Sequence, residues 1–121
     1  MQFMTMLKMR EDAGPPPPDF YDAMGAYIAG IAASGKLITT GGLLPSAAGA
    51  EVRATTTGGI VVTHGPFTEA TELIGGYAVF EVGSRDEAIA MATEFVQLHV
   101  DNWPGWEGAA EIRQIVGPPP L

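Results

Sequence analysis

A histidine at position 64, directly before Gly65-Pro66, is the side chain best placed to do acid–base chemistry. An imidazole titrates near neutral pH, and at the end of a strand that faces a crevice it could act as general base or acid. Two carboxylates, Glu69 and Glu72, follow in a predicted short helical turn and could complete an acid–base group. The alternative is structural: a ring nitrogen accepts backbone N–H bonds and organises the turn, while the carboxylates are solvated or cap backbone donors. We favour the structural interpretation.

A second group of candidates consists of His99, Trp103 and Trp106. The two indoles could close an aromatic lid over a small apolar ligand. They could equally fill the core of a dimer, with their N–H groups hydrogen-bonded locally. His99 lies at the end of a predicted helix, where a protonated ring would stabilise the negative end of the helix dipole, a purely structural use.

Further side chains complete the set of candidates for a ligand pocket. Arg113 could bind a carboxylate through two nitrogens, although pairing with an acidic neighbour is the commoner outcome. Gly65 and Pro66 are typical of a turn, and Phe67 is better suited to anchoring a core or an interface than to contacting a substrate. The pocket candidates are Tyr27, Gly65, Pro66, Phe67, Glu69, Tyr77, His99, Trp103, Trp106 and Arg113.

The sequence offers no recognisable site for a metal or a cofactor. Its two histidines are 35 positions apart, outside any H-x-H or H-E-x-x-H spacing, and it contains no cysteine. It also lacks the glycine-rich phosphate-binding loops of nucleotide-binding proteins and the G-x-S-x-G motif that carries a nucleophilic serine. We therefore expect no metal and no cofactor.

The composition is typical of one globular domain of 121 residues, 46% of which are hydrophobic. The net charge of −8 leaves no basic surface with which to displace the counterions of a nucleic acid. No apolar run approaches the roughly 20 residues that span a bilayer, and the N-terminus does not resemble a signal peptide. We therefore expect a cytoplasmic protein that binds neither nucleic acid nor membranes.

Apolar spacing predicts the elements that must position these side chains. Residues 2–9 are apolar on both faces of a strand, and glycines 58–59 join two short strands into a hairpin. Asp19 is predicted to cap the first helix after a stiff connector, Pro15–Pro18, and Ser84-Arg85-Asp86-Glu87 is a capping box for the second. The predicted strands are 2–9, 37–44, 52–56, 60–63, 77–82 and 111–116. The predicted helices run from Asp19 to a stop at Gly35 and from Ser84 to His99. Pro118–Pro120 are predicted to end the chain.

This order of elements predicts an α+β protein with a ferredoxin-like split βαβ pattern, into which a β-hairpin is inserted. Two helices on one side of the sheet leave its other side bare. Because the first strand is apolar on both faces, the bare side would expose an unusually large apolar surface in a monomer. The simplest remedy is a second copy packed sheet to sheet about a two-fold axis. We therefore expect an obligate homodimer.

The segment of residues 64–77, HGPFTEATELIGGY, resembles the signature of the YCII-related, or DGPF-domain, family of small bacterial proteins. That signature typically reads D-G-P-F-x-E-x-K-E-x-x-G-G-Y, so His64 stands where the family has Asp, and Thr71 where Lys is common. The resemblance covers nearly the whole chain and identifies residues 1–121 as a single YCII-related domain. Similar residues also lie at the MTMLKM opening, at Gly41–Ser46, at Ser84–Ala88 and at Glu111–Ile115.

The resemblance implies a dimeric α+β barrel but no general activity. YciI-like members have a His–Asp pair proposed as catalytic, with the His in the first helix, and many members are encoded near extracytoplasmic-function sigma factors. Here residues 19–34 contain no His, and the Asp of the signature is His64. Three hypotheses follow: a small-ligand-binding or accessory module, a cofactor-independent enzyme (isomerase, lyase or monooxygenase) using His64 as acid or base, and a regulatory partner in sigma-factor systems.

Overall fold

Six strands and two helices form in residues 1–117, the part of the chain that the computed structural model describes. The strands are β1 (Gln2–Met9), β2 (Leu37–Gly42), β3 (Ala50–Thr55), β4 (Gly59–His64), β5 (Leu73–Glu81) and β6 (Gly108–Ile115). The helices are α1 (Pro18–Ala33) and α2 (Arg85–Asn102), with two short 3₁₀ segments at Glu11–Ala13 and Ser46–Ala48. Their order along the chain is the predicted one. The prolines at 118–120, predicted to end the chain, lie outside the described residues.

Four of the strands form one antiparallel sheet in the order β2-β5-β1-β6. β1 lies inside this sheet because it pairs along its whole length with both β5 and β6. β3 and β4 form a separate two-stranded sheet, and every residue of this hairpin is exposed. The α+β class and the inserted hairpin predicted from the sequence are confirmed.

The two faces of β1 have different surroundings because successive side chains of a strand point to opposite sides. Phe3, Thr5 and Leu7 are buried on one face. The hydrophobic core that forms there includes side chains from both α1 and α2. Met4 and Met6, on the opposite face, are only half-buried. Both helices therefore cover the same face of the sheet.

The start of α1 differs from the prediction. Pro17 occupies the N-cap position and Pro18 is the first helical residue, so the prediction that Asp19 caps the helix is wrong. Proline suits this place because its φ angle is already helical and the first helical residue needs no N–H donor. The last two prolines of the predicted connector thus begin the helix. Asp19 lies in the first turn, where its charge suits the positive end of the helix dipole.

The start of α2 agrees with the predicted capping box. Ser84 Oγ accepts a hydrogen bond from the Glu87 N–H at 3.1 Å, and the Glu87 carboxylate accepts one from the Gly83 N–H at 2.9 Å. Lys36 Nζ lies 2.8 Å from the same carboxylate and is the main reason that the pKa of Glu87 is lowered. The local capping signal was therefore sufficient to place this end of the helix.

β5 begins earlier than predicted, at Leu73 instead of Tyr77, and it includes Gly75 and Gly76. The register with β1 shifts opposite Gly75, which is the extra residue of a bulge. Gly76 lies so close to β2 that a Cβ built on it would be 3.2 Å from a carbonyl oxygen of that strand. Glycines inside strands mark such bulges and close approaches, which depend on the neighbouring strands and not on local propensity.

Candidate functional site

A cavity of about 510 Å³ lies between α1 and the face of the sheet that the helices cover. Its walls are aliphatic and aromatic side chains, such as Leu7, Ile28 and Phe80, together with glycine backbone of β2 and β5. Thr5 contributes a buried hydroxyl-bearing side chain from β1. Among the residues described, no Asp, Glu, Lys or Arg lines the cavity. The volume suits a small organic molecule, and the walls favour one without charge.

His99 lines this cavity and lies inside a cluster of aromatic rings. The centroid of its ring is 4.6 Å from that of Trp106, 4.7 Å from that of Phe95 and 4.8 Å from that of Phe20. α2 contributes Phe95 one turn before His99, because residues four apart share a helix face, and α1 contributes Phe20. These rings leave only 1% of His99 exposed.

The buried His99 ring is neutral at neutral pH and carries its proton on Nδ1. Burial lowers its pKa, against a smaller opposite effect of its hydrogen bond to Phe95. Nδ1 lies 2.8 Å from the carbonyl oxygen of Phe95, and because a carbonyl only accepts, Nδ1 must be the donor. Nε2 of the neutral ring then has a lone pair and can accept a hydrogen bond. The predicted use of a charged His99 at the end of the helix dipole therefore does not apply.

Acidification below about pH 6.5 is expected to destabilise the protein through His99. Its folded pKa is below the ordinary value of 6.5, so the unfolded state binds more protons in this range. The stabilisation is present above pH 6.5 and is lost as the pH falls towards the folded pKa. The free energy of unfolding, measured in urea from about pH 7 to about pH 5, should therefore depend less on pH in His99→Gln than in the wild type.

His64→Gln is the matched control for this experiment because it removes the other histidine, which is exposed. It should retain the pH dependence of the wild type. Equal slopes in the wild type and in His99→Gln would contradict the prediction.

The two tryptophans occupy different places. Trp103 is half-buried and lines the cavity. Trp106 is buried, and its indole packs so tightly on Gly108 that a Cβ there would be 2.5 Å from Cζ2. Within residues 1–117, the buried Nε1 of Trp106 has no hydrogen-bond partner. An unpaired donor therefore lies on a ring that contacts His99.

Tyr27 and Tyr77, both predicted for a pocket, belong to the lining of the cavity. The Tyr27 hydroxyl donates to the Met91 carbonyl oxygen at 3.2 Å, which ties α1 to α2, and burial raises its pKa to about 12. The Tyr77 ring packs over β2, where a Cβ built on Gly41 would be 3.0 Å from it. Tyr27 therefore shapes the wall of the cavity, whereas Tyr77 pairs in register with Met6, so its side chain lies on the face of the sheet that the helices leave uncovered.

The loop of Gly65, Pro66 and Phe67 lies outside the cavity and is held by Ser46. The Phe67 N–H donates to Ser46 Oγ at 2.9 Å, and the Ser46 hydroxyl donates to the Glu11 carboxylate at 2.8 Å. The Ser46 N–H also donates to Glu11. Gly65 lies so close to the backbone of Ser46 that a Cβ built on it would be 1.6 Å from the Ser46 carbonyl oxygen. The Gly65–Pro66 peptide bond is cis, and both residues form part of a tightly packed turn.

The remaining candidates lie at the surface. His64 ends β4 in the exposed hairpin, and Glu69 and Glu72 are exposed in a turn and a bend, not in the predicted helical turn. Arg113 pairs in register with Met4 of β1 and therefore lies on the face of the sheet that the helices leave uncovered. Its Nη1 is 3.5 Å from an oxygen of Glu111. His64, Glu69 and Arg113 do not line the cavity.

A second recess, of about 420 Å³, lies between residues 10–12 and residues 67–73. Its charged groups are already paired, since Arg10 donates to Asp12 at 2.8 and 2.6 Å. In the part of the chain that the structure describes, no three His, Cys, Asp or Glu residues are grouped to hold a metal ion. The larger, apolar cavity is therefore the better candidate for a functional site.

Four residues that shape the site or its surroundings were not among the candidates selected from the sequence. Phe20 and Phe95 lie on apolar helix faces, and their spacing indicated only a core. Glu11 and Ser46 interact across 35 positions of sequence. The resemblance of the segment that ends at Ser46 to family members was a signal for that residue, whereas no local pattern distinguishes Glu11.

The arrangement can bind an uncharged molecule and offer it hydroxyl groups and one imidazole. Among the residues described, His99 is the one imidazole of the lining, whose other ionisable members are tyrosines. A neutral imidazole can accept a hydrogen bond from a ligand. The geometry is therefore that of a largely apolar binding site with one imidazole acceptor.

Comparison with known proteins gives a family. No helix within residues 1–117 is long and apolar enough to cross a membrane. A search of the curated proteins finds no match. The model of the YCII-related domain matches residues 1–98, which include β1 to β5 and most of α2. His99 is the first residue after the matched range, and Trp103 also lies beyond it. The chain therefore belongs to the YCII-related domain family.

Proposed function

We propose that this protein is a small-ligand-binding module whose site is the apolar cavity beneath α1. The observation that carries the proposal is the cavity itself, about 510 Å³ in volume, with His99 in its lining. Protein interiors are normally close-packed, with few voids larger than a water molecule. A molecule in this space would gain contacts with walls that otherwise have no partner atoms on one side.

The position of His64 favours binding over the predicted catalysis by that residue. Acid–base catalysis requires a group within hydrogen-bond reach of the proton it transfers, and His64, the predicted acid or base, lies outside the cavity. We therefore assign His64 no catalytic role. A regulatory role in sigma-factor systems and a cytoplasmic location stay predictions.

We also propose that the module is a homodimer of the dimeric α+β barrel type with a ferredoxin-like subunit. The antiparallel order β2-β5-β1-β6, with α1 after the first strand and α2 before the last, supports the ferredoxin-like arrangement. Met4 and Met6 lie on the face of the sheet that neither helix covers. Ile74 of β5 and Ile115 of β6 pair with residues of β1 on the same face, and they are 43% and 36% exposed. A second copy packed sheet to sheet would bury this surface.

Filling the cavity is expected to abolish the binding of a small apolar probe. Ile28 lines the cavity from α1, so Ile28→Trp places an indole where a ligand would lie. Naphthalene should bind the wild type saturably in an NMR titration that follows the Trp103 indole signal, and the variant should bind it at least about tenfold more weakly.

Ala29→Trp is the control because it adds the same ring to the exposed side of α1, and it should bind naphthalene like the wild type. The proposal fails if the wild type shows no saturable binding, or if the folded Ile28→Trp protein binds as tightly as the wild type.

A further inference from the structure

We infer that the cavity takes an uncharged ring compound carrying a hydroxyl group, and that this hydroxyl donates a hydrogen bond to Nε2 of His99. The inference rests on the proposed binding function and adds to it the chemical class of the ligand.

The absence of charge in the lining excludes an ionised ligand. None of the cavity-lining residues within 1–117 is acidic or a Lys or Arg, so a carboxylate or phosphate would be buried without a counter-charge. Burial of an unpaired charge is strongly unfavourable. The net charge of −8 adds a general repulsion of anions. The ligand is therefore neutral.

His99 brings an imidazole acceptor to a lining whose other side-chain polar groups are hydroxyls. The hydroxyls of Tyr27 and Thr40 already donate to backbone carbonyl oxygens, at 3.2 and 3.0 Å. Nδ1 of His99 is committed to the Phe95 carbonyl oxygen at 2.8 Å, which leaves Nε2 with a lone pair. A ligand donor that reaches this lone pair adds a hydrogen bond to the contacts with the apolar walls.

Trp106 packs against His99, with 4.6 Å between the ring centroids, but it does not line the cavity. Its buried N–H is therefore not offered to a ligand. The ligand needs a donor for Nε2 of His99, and a hydroxyl group supplies one. A carbonyl or an ether, which cannot donate, would leave Nε2 of His99 unpaired.

The rings around His99 indicate the shape of the ligand next to the hydroxyl. Phe20 lies 5.4 Å from Trp103 and 4.8 Å from His99, both measured between ring centroids. All three side chains line the cavity. Aromatic faces and edges pack best on other rings, so we expect a ring system to lie beside these side chains.

Three probes with the same ring frame test the inference: 1-naphthol, naphthalene and 1-naphthoate. Dissociation constants from NMR titrations of the wild type should show that naphthol binds at least as tightly as naphthalene. Naphthoate should bind on the order of a hundredfold more weakly than naphthol, because its charge has no partner. In His99→Phe, naphthol should bind about tenfold more weakly than naphthalene, since its hydroxyl is then buried unpaired.

Tyr27→Phe is the matched control because it removes a hydroxyl that is already bonded within the protein, and it should keep the wild-type order of the probes. Naphthoate binding as tight as naphthol binding would overturn the inference even if His99→Phe does not fold. So would an unchanged ratio of naphthol to naphthalene affinity in a folded His99→Phe protein. In both cases naphthalene binding would leave the proposed function intact, whereas a wild type that binds none of the three probes would overturn the proposed function itself.

Discussion

Replacing Met6 by lysine is expected to convert the proposed dimer into a folded monomer. Met6 is half-buried on the face of β1 that neither helix covers, so in a monomer the lysine would reach water at little cost. In a sheet-to-sheet dimer the same side chain would be buried, and the two-fold axis would place two such charges in one interface. Each lysine would lie opposite Glu111 in register, but removing charges from water still costs several kcal/mol per ion, so the dimer should dissociate on the order of a thousandfold more readily.

Sedimentation equilibrium of the wild type and the variant at micromolar concentration measures this effect. The control is Val100→Lys, which makes the same change at an exposed position of α2, 51% exposed in the protomer, and should remain a dimer. A wild type that sediments as a stable, folded monomer would rule out the dimer. A Met6→Lys protein that remains a dimer would show that the interface does not lie on this face of the sheet.

Replacing Gly65 by alanine is expected to lower the free energy of unfolding by about 3 kcal/mol. The added Cβ would lie 1.6 Å from the carbonyl oxygen of Ser46, and backbone atoms cannot be displaced as a flexible side chain can. The turn must therefore move away from Ser46, and the hydrogen bond from the Phe67 N–H to Ser46 Oγ, at 2.9 Å, would be strained or lost. Urea denaturation monitored by circular dichroism gives the change.

Gly30→Ala is the matched control because it makes the same substitution inside α1, where a Cβ would meet nothing within 4 Å. Alanine favours a helix over glycine, so this variant should be more stable by about 0.5–1 kcal/mol. Similar effects of the two substitutions would show that the approach of Gly65 to Ser46 does not constrain the fold.

Most elements could be predicted because their signals are local. The Ser84–Glu87 capping box placed the start of α2, and the apolar positions of residues 2–9 placed β1 with its observed bounds. Boundaries set by distant pairing were missed. β5 begins at Leu73 because it pairs there with β1 around a bulge at Gly75, and α1 begins at Pro18, where the sequence pattern indicated a connector.

The site shows the same division between local and distant information. Residue types and spacing were sufficient to select Tyr27, His99 and Trp103, all of which line the cavity. Residue types and spacing could not show that His99 lines the cavity and His64 does not, because the sequence does not reveal which histidine is buried.

The state of His99 depends on which rings surround it. Phe20 comes from α1 and Trp106 from the segment after α2, and their packing leaves His99 1% exposed and lowers its pKa. Desolvation is a property of a three-dimensional environment and not of a motif. Local patterns therefore specified the elements and the family signature, whereas packing between distant elements created the cavity and made His99 a neutral acceptor within it.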